Sequence, residues 1–215
     1  MRSIIYDSGY LKTLSDYIVQ TFISEIDRYP QITEHYKQMI EIRYINSVID
    51  LAESCFERHK GHFTRKYVQE SCSSYRSNAV KTLTHFKYDN SGICYATEIY
   101  LTINMERFLI DCFWIISSMS TKTEDHIKHM IKISLRHEVG HILDWIINNE
   151  NRHIDHVNHL RKIEDDAIWE FNSIMDNLSD EEFTIKYHQL PSEKSADELV
   201  GLTPQDFLFK SEKEN

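Results

Sequence analysis

The stretch from Thr121 to Asn149 constrains this chain more than any other, because its pattern fits one long helix and little else. Thr121-Lys122-Thr123-Glu124 has the form of a capping box, in which a hydroxyl and a glutamate three residues later satisfy the backbone N–H groups that open a helix. Behind it Ile127, Met130, Ile131, Leu135, Val139, Ile142 and Ile146 recur at helical spacing, and Asn148 and Asn149 close the run. A helix with one apolar stripe must be covered by other elements, so the remaining sequence has to supply partners for it.

Two sets of candidates precede it. Leu11, Leu14, Ile18, Phe22 and Ile26 mark one helical face, and Tyr36, Ile40, Tyr44, Val48 and Leu51 predict a second helix, with Pro30 between them. Residues 1–62 are therefore expected to form an N-terminal helical hairpin, an extension to a domain spanning residues 63–215. From Val80 the period changes: Val80, Thr82, Thr84, Phe86 and Tyr88 alternate, Asp89-Asn90-Ser91-Gly92 supplies turn chemistry, and Ile93 to Ile103 is rich in β-branched and aromatic residues. This predicts a β-hairpin; residues 107–119 are apolar and ambiguous. Helices are expected over residues 152–177 and 179–187 and from Pro191 to Leu202, and Thr203-Pro204 opens a last short one. The expected class is α+β: mostly helical, with a small antiparallel β-sheet or hairpin and the N-terminal helices.

Composition removes several functions. Asp and Glu number 34 against 24 Lys and Arg, a net charge of -10, with no basic block, so a phosphate backbone or an anionic membrane is an unfavourable partner. Five Gly, three Pro and 41% apolar residues describe a helix-rich globule. Cys55, Cys72, Cys94 and Cys112 form no Cys-x-x-Cys pair, which suits free thiols in a reducing compartment. Met1 to Gln20 lacks the apolar core of a signal peptide, and the longest apolar stretch, Phe108 to Ile116, is broken by Asp111. The expectation is a soluble cytoplasmic protein.

The long helix also carries chemistry. His137-Glu138-Val139-Gly140-His141 is an H-E-x-x-H motif. Residues four apart stand about 40° apart around a helix, so both imidazoles can converge on one ion, and neutral imidazole nitrogens suit zinc. Glu138 projects about 100° away from His137, where it can serve as a base toward an activated water. The blander account is two histidines that merely share a helix face. A catalytic zinc needs a third protein ligand. One class of zinc peptidases places Gly and His three and six residues past the second histidine; Asp144 and Ile147 stand there, which excludes that class. Asp144 must reach back a full turn. Glu193 and Asp197, four apart on the helix opened by Pro191, offer one carboxylate to bind metal and one to hold a ligand histidine by its free N–H.

Together these two segments, His137-Glu138-Val139-Gly140-His141 and Glu193-Lys194-Ser195-Ala196-Asp197, resemble the zincin metallopeptidases of the gluzincin type. The phrase from Leu190 to Asp197 is similar to the third-ligand segment of small bacterial and phage zincins, including those that cleave phage repressors. The resemblance covers roughly Ile93 to Gly201 and implies one zinc ion held by His137, His141 and Glu193, with Glu138 as general base and Asp197 orienting His137. It further implies a protein or peptide substrate and a bacterial protein of phage or mobile-element origin. A long insert between His141 and Glu193 departs from a minimal zincin.

Zincins hold extended peptides against an edge strand, and Thr97 to Ile103 is the expected strand here. Tyr187 and His188 are candidate donors to a developing oxyanion. His153, His156 and His159 lack any accompanying pattern of a second metal site and are expected at the surface. Two alternatives to a peptidase are a catalytically inactive, zinc-stabilised regulatory or binding protein of the same fold, and a deformylase-like amide hydrolase echoed by Glu70-Ser71-Cys72-Ser73-Ser74.

Overall fold

The structure is a computed structural model that describes residues 8–45, 64–68, 80–104 and 123–208. Helices α1 (Ser8–Ile26) and α2 (Glu34–Met39) are followed by strands β1 (Ile40–Ile45), β2 (Thr64–Val68), β3 (Val80–Tyr88) and β4 (Cys94–Asn104). Then come α3 (Thr123–Asp144), which continues as a π-helical turn over Trp145–Asn149, α4 (Ile154–Ile174), α5 (Asp180–Tyr187) and α6 (Pro191–Val200). The fold is α+β, a helical majority on one small mixed sheet. No helix among the described residues is long and apolar enough to cross a membrane.

The sheet runs β2-β1-β4-β3. The expected hairpin is its antiparallel half: Val80 faces Ile103 and Tyr88 faces Cys94, with a bulge between His85 and Phe86. Asp89 closes the turn by accepting the N–H groups of Ser91 and Ile93, and Gly92 takes the left-handed φ of 80° that the turn requires. The other half overturns an expectation. The second N-terminal helix stops at Met39, and Ile40–Ile45 is a strand parallel to both β2 and β4. A spacing of four residues satisfies period 2 as well as period 3.6, and the β-branched alternation of Ile40 and Ile42, both fully buried, decides for the strand. Val48 and Leu51 lie outside the described residues, as do Thr121 of the expected capping box, residues 107–119 and three of the four cysteines; Cys94 is buried.

The segments on the two sides of the expected boundary near residue 62 pack against each other. Leu14, Ile18, Phe22 and Ile26 of α1 share one core with Ile127, Ile131, Leu135, Val139 and Ile142 of α3 and with Ile40, Ile99 and Leu101 of the sheet. Glu25, 2% exposed, receives both Arg28 and, from α3, Arg136 at 3.1 Å. The N-terminal segment thus covers the back of the motif helix. Each aliphatic side chain taken from water there contributes about 1.5–3 kcal/mol.

The longest part of the insert between the two halves of the motif is α4, which is packed less than its sequence pattern suggests. Val157 and Phe171 are buried, whereas Ile163, Ile168, Ile174 and Trp169 remain exposed, Trp169 by 75%. The helix starts at His153, whose Nδ1 accepts the N–H of Asp155, and it lies beside β4 through an isolated bridge between Ile93 and His153.

Candidate metal centre

Every functional side chain near the motif is placed by the crossing of α3 and α6. A glycine inside a helix costs about 1 kcal/mol relative to alanine and calls for a packing reason. At Gly140 a Cβ would stand 2.3 Å from the backbone oxygen of Ala196. The absent side chain therefore lets α6 lie directly on α3, with Glu193 and Asp197 on either side of the contact. Pro191 at the start and Gly201, in the left-handed region at φ 71°, bound α6, which ends at Val200, two residues short of the expected Leu202.

From α3, His137 and His141 meet edge to face with ring centroids 4.6 Å apart. Their Nε2 atoms are 3.1 Å apart, and Glu193 Oε2 lies 2.9 Å from that of His137 and 3.5 Å from that of His141. In a tetrahedral zinc site with bonds of about 2.0–2.1 Å, neighbouring donors are separated by about 3.3 Å. The three atoms present are within a few tenths of an ångström of that triangle. Two imidazoles and a carboxylate are also the donor set that zinc takes in hydrolytic sites. The residues fit a metal ion.

Behind the triangle stands a layer of carboxylates and donors. His137 Nδ1–H donates to Asp197 Oδ1 at 2.7 Å, which fixes the tautomer and directs Nε2 at the ion position. The other oxygen of Asp197 accepts from His188 Nδ1–H at 2.8 Å, and the His188 ring stacks on Phe207 with centroids 3.7 Å apart. The Tyr187 hydroxyl donates to Glu193 Oε1 at 3.0 Å. Tyr187 and His188 are thus not placed as the oxyanion donors expected of them. They end α5 beside α6, where the Tyr187 hydroxyl meets Glu193 and His188 Nδ1 meets Asp197.

Asp144 is no metal ligand here: its carboxylate accepts Ser195 Oγ and Asn148 Nδ2. The insert helix takes a part the sequence did not reveal, because Glu164 of α4 accepts both the N–H and the hydroxyl of Ser192, at 2.9 and 2.8 Å. A carboxylate on the first turn of α6 satisfies one orphan N–H group and anchors the residue next to Glu193.

Glu138 is 5% exposed, and its Oε2 accepts the backbone N–H of Thr82 at 2.5 Å. Thr82 belongs to β3, which, like β2, is an edge strand among the described residues; β4, with Thr97 to Ile103, is paired on both sides and cannot be the expected edge. Burial pushes the Glu138 carboxyl above its ordinary pKa, against the pull of His141 and His137 and of the Thr82 N–H. At His137 burial opposes the charged form, yet hydrogen bonds to Asp197 and Glu193 outweigh it and raise the pKa to about 10. Burial likewise opposes ionisation of Glu193, and the two imidazoles overcome it and hold its carboxyl well below the usual range.

A cavity of about 560 Å³ opens beside His141, between the edge of β3 and α4. The His141 side chain is 21% exposed and that of His137 8%, so the ion position is approached from the His141 side. Among the remaining expectations, His156 lines this cavity and His159 is exposed, and Cys72 of the deformylase echo lies outside the described residues. No protein-family model matches the chain, and neither curated proteins nor solved structures provide a match.

Proposed function

We propose that the chain is a zinc-dependent metallopeptidase of gluzincin type, acting in the cytoplasm on peptide bonds of a protein substrate. The observation that carries this reading is the convergence of His137, His141 and Glu193 ligand atoms beside a buried carboxylate, Glu138, that is not part of the ligand triangle. When bound, zinc supplies a Lewis acid that polarises the scissile carbonyl and acidifies a water. The chain's own residues do the rest. His137, oriented by Asp197, and His141 offer neutral Nε2 lone pairs, and Glu193 offers one oxygen while Tyr187 holds the other. The Thr82 N–H fixes one oxygen of Glu138, leaving Oε1 to take a proton from the attacking water and return it to the departing amine. A carboxyl raised by burial is a better base near neutral pH than an exposed one.

The test is metal content and proteolysis measured on the same preparations. Wild type and Glu138→Gln are expected to bind about one zinc per chain, while His141→Ala and Glu193→Ala bind it weakly; all three variants lose cleavage. Full zinc occupancy in Glu193→Ala would falsify the ligand assignment. Zinc binding by wild type without turnover of any protein substrate would instead favour the inactive, zinc-stabilised binding protein.

A further inference from the structure

We propose that the outer side of α4 is a docking surface for a cationic amphipathic helix of a partner protein. This surface is independent of the peptidase reading. α4 spends one side on the rest of the fold: Val157 and Phe171 are buried there, and Glu164 holds Ser192. Of the nine large apolar side chains that stand exposed among the described residues, five fall within residues 163–183: Ile163, Ile168, Trp169, Ile174 and Phe183. Exposed apolar residues scattered singly are ordinary, whereas their concentration in one short stretch marks an interaction surface.

The pattern along the helix gives the surface its shape. Ile163, Asp166, Glu170 and Ile174 follow one another at helical spacing and so share one side of α4 over about 16 Å. Trp169, 75% exposed, comes four residues after Asp165 and three after Asp166, which makes it a neighbour of both carboxylates. A stripe of this form on one long helix is matched by another helix packed alongside it.

Charge selects the occupant. Residues 163–185 hold eight carboxylates and no Lys, Arg or His. Glu164 is engaged by Ser192 and Glu182 by Ser179, but Asp165, Asp166, Glu170 and Asp176 have no ion pair among the described residues. A lysine or arginine of a partner helix finds an indole face beside two carboxylates, where cation–π attraction adds to charge pairing. Apolar side chains on the same helix cover Ile163 and Ile174, which water now solvates. A second copy of the chain would set this run of carboxylates against itself in an isologous contact, and an anionic membrane or a nucleic acid is repelled in the same way.

The experiment uses full-length, zinc-loaded protein and three peptides of about 18 residues, long enough to lie along the stripe: an amphipathic Leu/Lys helix, the same composition scrambled so that no apolar face forms, and the Leu/Glu counterpart of the first. Binding is read by isothermal titration and by Trp169 fluorescence, with Trp169→Phe identifying the reporter. The Leu/Lys helix is expected to bind, less tightly as salt is raised, and to move Trp169 emission to the blue, while the other two peptides bind at least about tenfold more weakly. Trp169→Ala and the combined reversal Asp165→Lys, Asp166→Lys and Glu170→Lys should each weaken the Leu/Lys helix by about tenfold or more, with zinc content and urea midpoint unchanged. Equal affinity of that helix for wild type and these variants overturns the surface, and so does equal affinity for the scrambled peptide, which reports net charge alone. A wild-type dimer in sedimentation that turns monomeric in Trp169→Ala overturns it in favour of a second copy. Blue-shifted Trp169 emission in the free monomer, unresponsive to peptide, overturns it in favour of a segment of this chain. No outcome is read from cleavage, so the docking surface and the peptidase stand or fall separately.

Discussion

Gly140→Ala sets two physical effects against each other at the centre of the site. In a helix interior alanine is more favourable than glycine by about 1 kcal/mol, so propensity alone predicts a more stable protein. The new methyl carbon, however, would meet Ala196 O at 2.3 Å, its carbonyl carbon at 2.8 Å and its Cα at 3.0 Å. Carbon and oxygen come into ordinary contact at about 3.3 Å, so α6 must retreat by about 1 Å, and the obstacle is backbone that cannot rotate away. A retreat of that size takes the contacts of Glu193 and Asp197 with His137, now 2.9 and 2.7 Å, beyond hydrogen-bonding distance. Overpacking of this kind costs about 1–3 kcal/mol, which cancels or exceeds the gain in propensity. Zinc affinity is expected to fall at least as much as when an outer-shell partner is removed, about 10–100-fold. Urea unfolding in chelator and zinc competition against a coloured chelator measure the two consequences. A Gly140→Ala protein that is more stable than wild type and binds zinc equally well would refute the claim that the helix crossing sets the site.

Three further outcomes follow from the same geometry. His188→Ala removes one of two donors to Asp197 and should weaken zinc about 10-fold or more, with His188→Asn restoring part of the loss; unchanged affinity in competition titrations would exclude a positioning role. Glu164→Ala frees the first turn of α6 and should cost about 1 kcal/mol of stability in urea, together with a measurable loss of zinc affinity. The site should also respond to pH in opposite senses with and without metal. His137 must release a proton to bind zinc, and its pKa is raised from 6.5 to about 10, so affinity should rise with pH by up to about tenfold per unit toward pH 10. In chelator the same raised pKa stabilises the fold fully below pH 6.5, and that contribution disappears as pH climbs through 10. Isothermal titration and urea melts between pH 6 and 10 check both slopes.

How much of this was legible in advance differs element by element. The motif helix, the β3–β4 hairpin and the helix after Pro191 were readable because turn residues, a helix-opening proline and short-period patterns act within a few residues. Ile40–Ile45 was misread because a four-residue spacing carries no information that separates helix from strand. The identity of the edge strand was misread for a different reason: β3 and β4 alternate alike, and only the pairing of β1 onto β4 decides which of them remains open. Tyr187 and His188 stand beside Glu193 and Asp197, and these partners were not visible in the sequence, since the direction of a side chain at a helix end depends on what packs beside it.

The sequence by itself determined the pair His137 and His141, together with Glu138, because the turn of a helix places residues of that spacing without help from the rest of the chain. Tertiary structure alone decided that Glu193 and Asp197, separated from His137 by 56 and 60 residues, would close around it. Contacts at that separation depend on how two helices cross, and the crossing depends on a missing methyl group at Gly140 and on the insert helix that holds Ser192.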